Sequence, residues 1–264
     1  MTTELFNATP QTPARRVRIT ACTAQHIGDR LEQQDRVGIF KSRRMPEAAL
    51  FVVADGMGGK TGGAMAAQQV MSTAKHLFEE YSLGDPIPSL LTEIVNEAHA
   101  IIRISAISSE KEPHSTIVVL LVQPHRADWT HVGDSRLYHF RNAELLDRTI
   151  DHSYVEQLIV EGRLDRTQAY AHRLSNLLTH ALGTPKPPSI GFGIADELVA
   201  GESFLLCSDG LWHYFNDAEL GIILSTGTAR QASERLMQLA RERGNGTADN
   251  RTLAIVRLDA LEAS

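Results

Sequence analysis

Apolar and polar positions alternate with more than one period along the chain. Val17 to Gln25, Asp35 to Phe40 and Leu50 to Ala54 carry the β-branched and aromatic residues of short strands. The period then lengthens. From Ala64 to Tyr81 the apolar residues Ala67, Val70, Met71, Ala74, Leu77, Phe78 and Tyr81 recur three and four apart, which predicts an amphipathic helix. Leu90, Leu91, Ile94, Val95, Ala98, Ile101 and Ile102 repeat that spacing after the Gly84-Asp85-Pro86 break and predict a second helix. Thr116 to Val122, Trp129 to Val132 and Leu137 to Phe140 return to strand-forming runs separated by short polar turns, the pattern of an antiparallel meander. Ser153 to Thr184 is mixed and polar, with a weak helical period around Val155, Leu158 and Ile159, and reads as an excursion from the sheet. Phe204 to Cys207 and Thr252 to Leu258 predict strands, and Asp217 to Leu224 and Ala229 to Arg243 predict the helices between them.

Strands in hairpins and helices in consecutive pairs argue for an α+β fold with antiparallel sheets and helices on the outer faces. The strand-helix-strand alternation of a parallel sheet is not the pattern here. Repeats, low-complexity stretches and Gly/Ser linkers do not occur, which predicts one domain over residues 14–260, preceded by a polar, disordered segment over residues 1–13.

Composition narrows the function classes. With 264 residues, of which 42% are hydrophobic, the chain can bury a large core. A net charge of −6, from 32 acidic and 26 basic residues with no basic block, gives no general attraction to nucleic acid, which is not expected as a partner. Cys22 and Cys207 are the two cysteines, too few for a disulfide framework and too far apart in sequence for a Cys-x-x-Cys pair. The start carries Arg15, Arg16 and Arg18 without an apolar core, and the runs Ala48 to Ala54 and Ile117 to Val122 are too short to span a bilayer. The expectation is a cytoplasmic protein without a membrane partner.

The candidate chemistry lies in where the acids stand. Phe51-Val52-Val53-Ala54 runs into Asp55, the strand ending Val132-Gly133 into Asp134, and Phe204 to Ser208 into Asp209. Asp35 opens a strand, and Asp249 precedes the last one across Gly244-Asn245-Gly246-Thr247-Ala248. In an antiparallel sheet the end of one strand and the start of its neighbour share an edge, so all five can converge. Each alone is ordinary turn chemistry. Together, crowded carboxylates need cations to neutralise them, and an all-oxygen donor set selects Mg2+ or Mn2+ over zinc. Two such ions about 3.5 to 4 Å apart can activate a water and clamp phosphoryl oxygens.

Rival motifs fare worse. Ala54-Asp55-Gly56-Met57-Gly58-Gly59-Lys60-Thr61 matches a relaxed phosphate-binding loop between a strand and a helix, which makes a nucleotide-binding protein the alternative. Against it, Asp55 would put a negative charge in a phosphate cradle, and the strand-helix-strand repetition of such proteins is missing. Cys207 lacks the Arg six residues on that a cysteine phosphatase needs, no Gly-x-Ser-x-Gly elbow occurs, and the 11 histidines form no ligand pair. Trp129 and Trp212 read as packing residues.

In order, Arg30 with Gln33-Gln34-Asp35, Val53-Ala54-Asp55-Gly56-Met57-Gly58-Gly59, Val132-Gly133-Asp134-Ser135-Arg136, Asp151-His152-Ser153, Asn176-Leu177-Leu178-Thr179 to Leu182-Gly183, Ser208-Asp209-Gly210 and Asp249-Asn250 resemble the motifs of the protein phosphatase 2C family, bacterial type, over about residues 17 to 258. The resemblance implies a four-layer α-β-β-α sandwich of two antiparallel sheets flanked by helix pairs. It also implies a metal-dependent serine/threonine protein phosphatase that hydrolyses phosphoserine and phosphothreonine by a metal-activated water. By it, two Mn2+ or Mg2+ ions are held by Asp55, the Gly56 carbonyl, Asp209 and Asp249. A third, weaker ion uses Asp134 and Asp209. Asp35 orients water at the metals, and Arg30 grips the substrate phosphate. Residues 153–184 become the flap. The partners implied are phosphorylated proteins, substrates of a serine/threonine kinase, met by a monomer; a catalytically inactive binding module of the same fold is the other alternative. Three positions depart from the family pattern. Gln34 stands where many members place Glu, Met57 stands, as in the bacterial form, where eukaryotic relatives have a His proposed to protonate the leaving group, and His114-Ser115-Thr116 stands where a small Gly-rich or Gly-Ser/Thr-Thr turn is usual.

Overall fold

The computed structural model describes residues 17–82, 84–107, 112–169, 172–246 and 248–260; the expected disordered segment 1–13 lies outside the described residues. Along the chain run β1 (Val17–His26), β2 (Arg36–Lys41), β3 (Ala49–Ala54), β4 (Gly56–Met57), α1 (Gly59–Glu80) and α2 (Ile87–Ile107). Next come β5 (His114–Ser115), β6 (Ile117–Gln123), β7 (Arg126–Val132), β8 (Arg136–Arg141), β9 (Glu144–Arg148), α3 (Tyr154–Val160) and α4 (Arg166–Ala169). The last elements are β10 (Gly191–Asp196), β11 (Glu202–Cys207), α5 (Asp209–Trp212), α6 (Asp217–Ser225), α7 (Ala229–Gly244) and β12 (Arg251–Ala260).

Two five-stranded antiparallel sheets result, in the orders β1-β12-β11-β8-β9 and β10-β7-β6-β3-β2. Side-chain alternation explains why they stack. In β3, Phe51 and Val53 face the other sheet, while Leu50, Val52 and Ala54 face α1 and α2. In β12, Ala254, Val256 and Leu258 point between the sheets, while Leu253 and Ile255 meet Leu211 of α5, Leu220 of α6 and Leu236 of α7. Central strands are therefore apolar on both faces, and the layers read α-β-β-α. The helices close the sandwich with their own local signals: in α7, Thr228 Oγ1 accepts from the Gln231 amide at 3.2 Å while Gln231 Oε1 accepts from the Thr228 amide at 2.9 Å, a capping box. No helix among the described residues is long and apolar enough to cross a membrane.

The meander expected over Thr116 to Phe140 is corrected by the structure. The β6 and β7 strands form a hairpin, but β8 leaves them and pairs with β11 and β9 in the opposite sheet. The crossing occurs at Gly133, whose φ of 105° is open to glycine and closed to most side chains. A Cβ there would also lie 2.6 Å from Thr116 Cγ2. Gly133→Ala is therefore expected to destabilise the fold by about 1–3 kcal/mol or more, read as a lowered thermal midpoint; an unchanged midpoint would contradict the assignment. Besides the two-residue strands β4 and β5, which pair with each other, two strands of the large sheets escaped the sequence reading. In β10, Gly191 and Gly193 weaken the strand signal, yet glycine is required: a Cβ at Gly193 would lie 2.2 Å from the Trp129 ring. The other, β9, is short, mostly polar and at an edge.

Candidate metal centre

Strand register gathers the acids. Arg36 pairs with Ala54, so Asp35, just before β2, and Asp55, just after β3, share one end of their sheet. Cys207 pairs with both Leu253 and Arg136, which brings Asp209, Asp249 and Asp134 to one end of the other sheet. Ile117 opposite Val132 sets the end of β7, and with it the Asp134 turn, beside the Asp55 end of the first sheet. All five acids thus meet where the two sheets end together.

Their electrostatics show the crowding. Burial pushes the Asp35 carboxyl up to about 7, against the opposing pull of hydrogen bonds from Ser208 and Thr252, and Asp209 and Asp249 add repulsion. Asp55 is raised well above the usual carboxylate range by burial and by the charges of Asp35, Asp209, Asp134 and Asp249. Asp134 is raised by burial and by Asp209 and Asp151, and Asp209 by burial and by Asp249. Asp209 also lies within hydrogen-bond reach of Asp55. Buried like charges of this kind raise one another's pKa, and divalent cations remove the penalty. An all-oxygen, anionic donor set fits Mn2+ or Mg2+.

The acids share a charge neighbourhood without forming a closed cage: among the described residues, no group of three His, Cys, Asp or Glu side chains is drawn together tightly enough to hold an ion. Two carboxylates are engaged by protein donors instead. Ser208 Oγ donates to Asp35 Oδ2 at 2.7 Å, and Arg30 Nη2 lies 2.5 Å from Asp249 Oδ2. Arg30 is thus at the site, beside the acid expected to bind metal. The Gly56 carbonyl abuts Gly63 of α1, so closely that a Cβ at Gly63 would lie 2.4 Å from it.

Several residues hold the acids through contacts that the sequence does not show. Thr116 and Ser115 fix the Asp55 backbone: Thr116 Oγ1 accepts from the Asp55 amide at 3.0 Å, the Thr116 amide donates to Asp55 O at 2.9 Å, and Ser115 Oγ donates to the same oxygen at 3.1 Å. Pairing of β4 with β5 adds Gly56 opposite Ser115 and Met57 opposite His114, which gives the unusual His114-Ser115-Thr116 turn a structural task. Buried Arg136 forks onto Asp151 at 2.8 and 2.6 Å and stacks 3.4 Å above the Trp212 ring. Trp212 Nε1 in turn donates to Asp134 O at 2.9 Å, so Trp212 does more than pack. Trp129 does pack, against Phe204 and His139, and Cys207 is buried with its thiol pushed far up by burial. For the rival phosphate-binding loop, the antiparallel pairing of β3 with β2 and β6 removes the parallel sheet that such a loop requires.

Comparison with known proteins agrees with this fold. A sequence model of the family described as protein phosphatase 2C matches residues 22–250. The serine/threonine protein phosphatase PstP of Mycobacterium tuberculosis is 33% identical over 214 residues, which cover 79% of this chain and 40% of PstP. The chain therefore spans well under half the length of that relative. Among solved structures, the S. agalactiae serine/threonine phosphatase superposes with a TM-score of 0.83 at 27% identity, covering 92% of this chain and 100% of that one. The catalytic domain of a PstP, solved in complex with 2 manganese ions, superposes with a TM-score of 0.75 at 29% identity, covering 92% and 99%. A fold of two stacked antiparallel sheets, acids gathered at their common end and a family match over most of the length have one reading: the chain belongs to the protein phosphatase 2C family.

Proposed function

We propose that the chain is a metal-dependent serine/threonine protein phosphatase, hydrolysing phosphoserine and phosphothreonine at a dinuclear Mn2+ or Mg2+ site. The observation that carries this is the convergence of Asp35, Asp55, Asp134, Asp209 and Asp249 on one end of the sandwich, in a chain whose family includes phosphatases. Asp55, Asp209, Asp249 and the Gly56 carbonyl would hold two ions, and Asp134 with Asp209 a third, weaker one. Bound cations supply charge neutralisation for the phosphoryl oxygens and an activated water for direct attack.

The protein's own residues orient and bind. Asp35, tethered by Ser208, orients water at the centre, and the Arg30 fork binds the substrate phosphate. Residues 153–184, whose α3 and α4 are joined by Arg166 forking onto Glu156 at 3.1 and 2.6 Å, form the flap beside the site. The domain extends over residues 14–260. Substrates are phosphoproteins made by a serine/threonine kinase, met by a cytoplasmic, monomeric enzyme that acts in signalling.

The test is turnover of a phosphothreonine peptide with Mn2+ and with chelator. Activity is expected with Mn2+ and lost on chelation; turnover that survives chelation refutes the reading. Arg30→Ala is expected to raise KM with kcat little changed, because the arginine binds phosphate in ground and transition states alike. A pure loss of kcat would contradict that role.

A further inference from the structure

The Arg30 loop and the turn that carries Asp249 are joined by a hub residue. Asn250 is 5% exposed, and its amide serves three backbone groups of the loop. Its Oδ1 accepts from the Gln34 amide at 2.7 Å, and its Nδ2 donates to Ile27 O at 2.8 Å and to Glu32 O at 3.0 Å. These contacts flank Arg30 on both sides in sequence and use both ends of the carboxamide. Asp29 adds a second tie, with its amide donating to Ala248 O at 2.8 Å and its Oδ2 accepting from the Ala248 amide at 2.7 Å. Gly28, at φ +68°, lets the loop press onto the turn: a Cβ there would lie 2.2 Å from Asp249 O. Arg30, itself largely exposed, has an anchored backbone and reaches Asp249 with its guanidinium.

We infer that Asn250 is a positioning residue for Arg30: it holds the 27–34 loop at a fixed spacing from Asp249, so that the guanidinium meets the substrate phosphate beside the acids. This rests on the phosphate-binding role of Arg30 proposed above. A carboxamide suits the task because it presents one acceptor to an N–H and two donors to carbonyls. A carboxylate would turn acceptor oxygens toward Ile27 O and Glu32 O. An exposed arginine on an untied loop would have to be ordered anew each time substrate binds, which weakens binding.

The experiment is a double-mutant cycle between Arg30 and Asn250, read as KM and kcat on a phosphothreonine peptide with saturating Mn2+. Arg30→Ala is expected to raise KM at least ~10-fold, the loss of a charge-assisted fork. Asn250→Ala and Asn250→Asp are expected to raise KM by about the same factor while kcat changes less than about threefold. The double variant Arg30→Ala/Asn250→Ala is expected to match Arg30→Ala within about twofold, because a residue acting through Arg30 has nothing left to position. Asp29→Ala, at an exposed position, keeps the test available if Asn250 variants fold poorly: it is expected to raise KM in the wild type and to have no effect in the Arg30→Ala background. Multiplying KM effects in both cycles, the behaviour of a merely structural residue, overturns the inference. If Arg30→Ala leaves KM unchanged, the phosphate-binding role itself fails, and the two failures are thereby told apart.

Discussion

Replacing Asp55 and Asp209 together by asparagine is expected to abolish phosphothreonine-peptide hydrolysis while making the chelated protein more heat-stable. The loss should be on the order of 1000-fold or greater, since cation charge stabilisation is several kcal/mol and each ~1.4 kcal/mol is tenfold in rate. The gain in stability follows from the same crowding. Asp55 and Asp209 are raised by burial first and by their acidic neighbours next, so in the absence of cations their charges oppose folding.

Asp35 gives the pH window. Its carboxyl rises from an ordinary 3.8 to about 7 in the folded protein, so between those values the native state holds a proton that the unfolded chain has released. Stability from this group is therefore present at low pH and lost as pH climbs through that window. Chelated wild-type protein should melt at a lower temperature at pH 8 than at pH 5, and the doubly substituted protein should show a shallower fall. Mn2+ should restore the wild type at pH 8 and leave the double variant unmoved. Parallel pH curves for the two chelated proteins would contradict the crowding argument.

Asp151→Ala should be among the most destabilising single changes. It strips a bidentate partner from Arg136 in a place where the two side chains are 5% and 7% exposed, leaving a buried cation. Breaking such a pair costs about 3–5 kcal/mol, which in a domain of this size lowers the melting temperature by roughly 10 °C. The phenolic oxygen of Tyr138, 3.0 Å from Arg136 Nη1, cannot balance the charge. Activity is expected to fall as well, because Arg136 stacks on Trp212 and Trp212 holds the Asp134 carbonyl. Adding Arg136→Met to Asp151→Ala removes the stranded charge and should recover part of the lost stability. A melting temperature within a degree or two of wild type for Asp151→Ala would contradict the account of this pair.

The sequence made strand and helix types legible wherever the apolar period was long. Residues Leu50 to Ala54 are apolar because both faces of β3 are buried, and the aspartate that ends the run marks the sheet edge. The two long helices followed from their three-and-four spacing, although both extend beyond the residues that carry it. In α1 the early turns are glycine-rich and apolar periodicity cannot see them; in α2 the first turn contains Pro88, which a helix tolerates there. The switch of sheets at Gly133 was hidden, because a run of strands separated by short turns looks alike whether it meanders or crosses over. Partners were hidden too. Arg30 reaches an acid 219 positions away, and Asn250 reaches Ile27 across 223, so no local pattern could show either contact. The gathering of the acids was legible because they recur at strand ends; the bonds that Ser208, Thr116 and Trp212 make around them were not, because one hydroxyl or indole carries no period.

Crystals grown with Mn2+ and measured at the manganese absorption edge put the central claim to its most direct test. The account predicts two strong anomalous peaks enclosed by Asp55, Asp209 and Asp249, with the Arg30 guanidinium beside them. Peaks elsewhere on the molecule, or none in crystals soaked at saturating Mn2+, would contradict it.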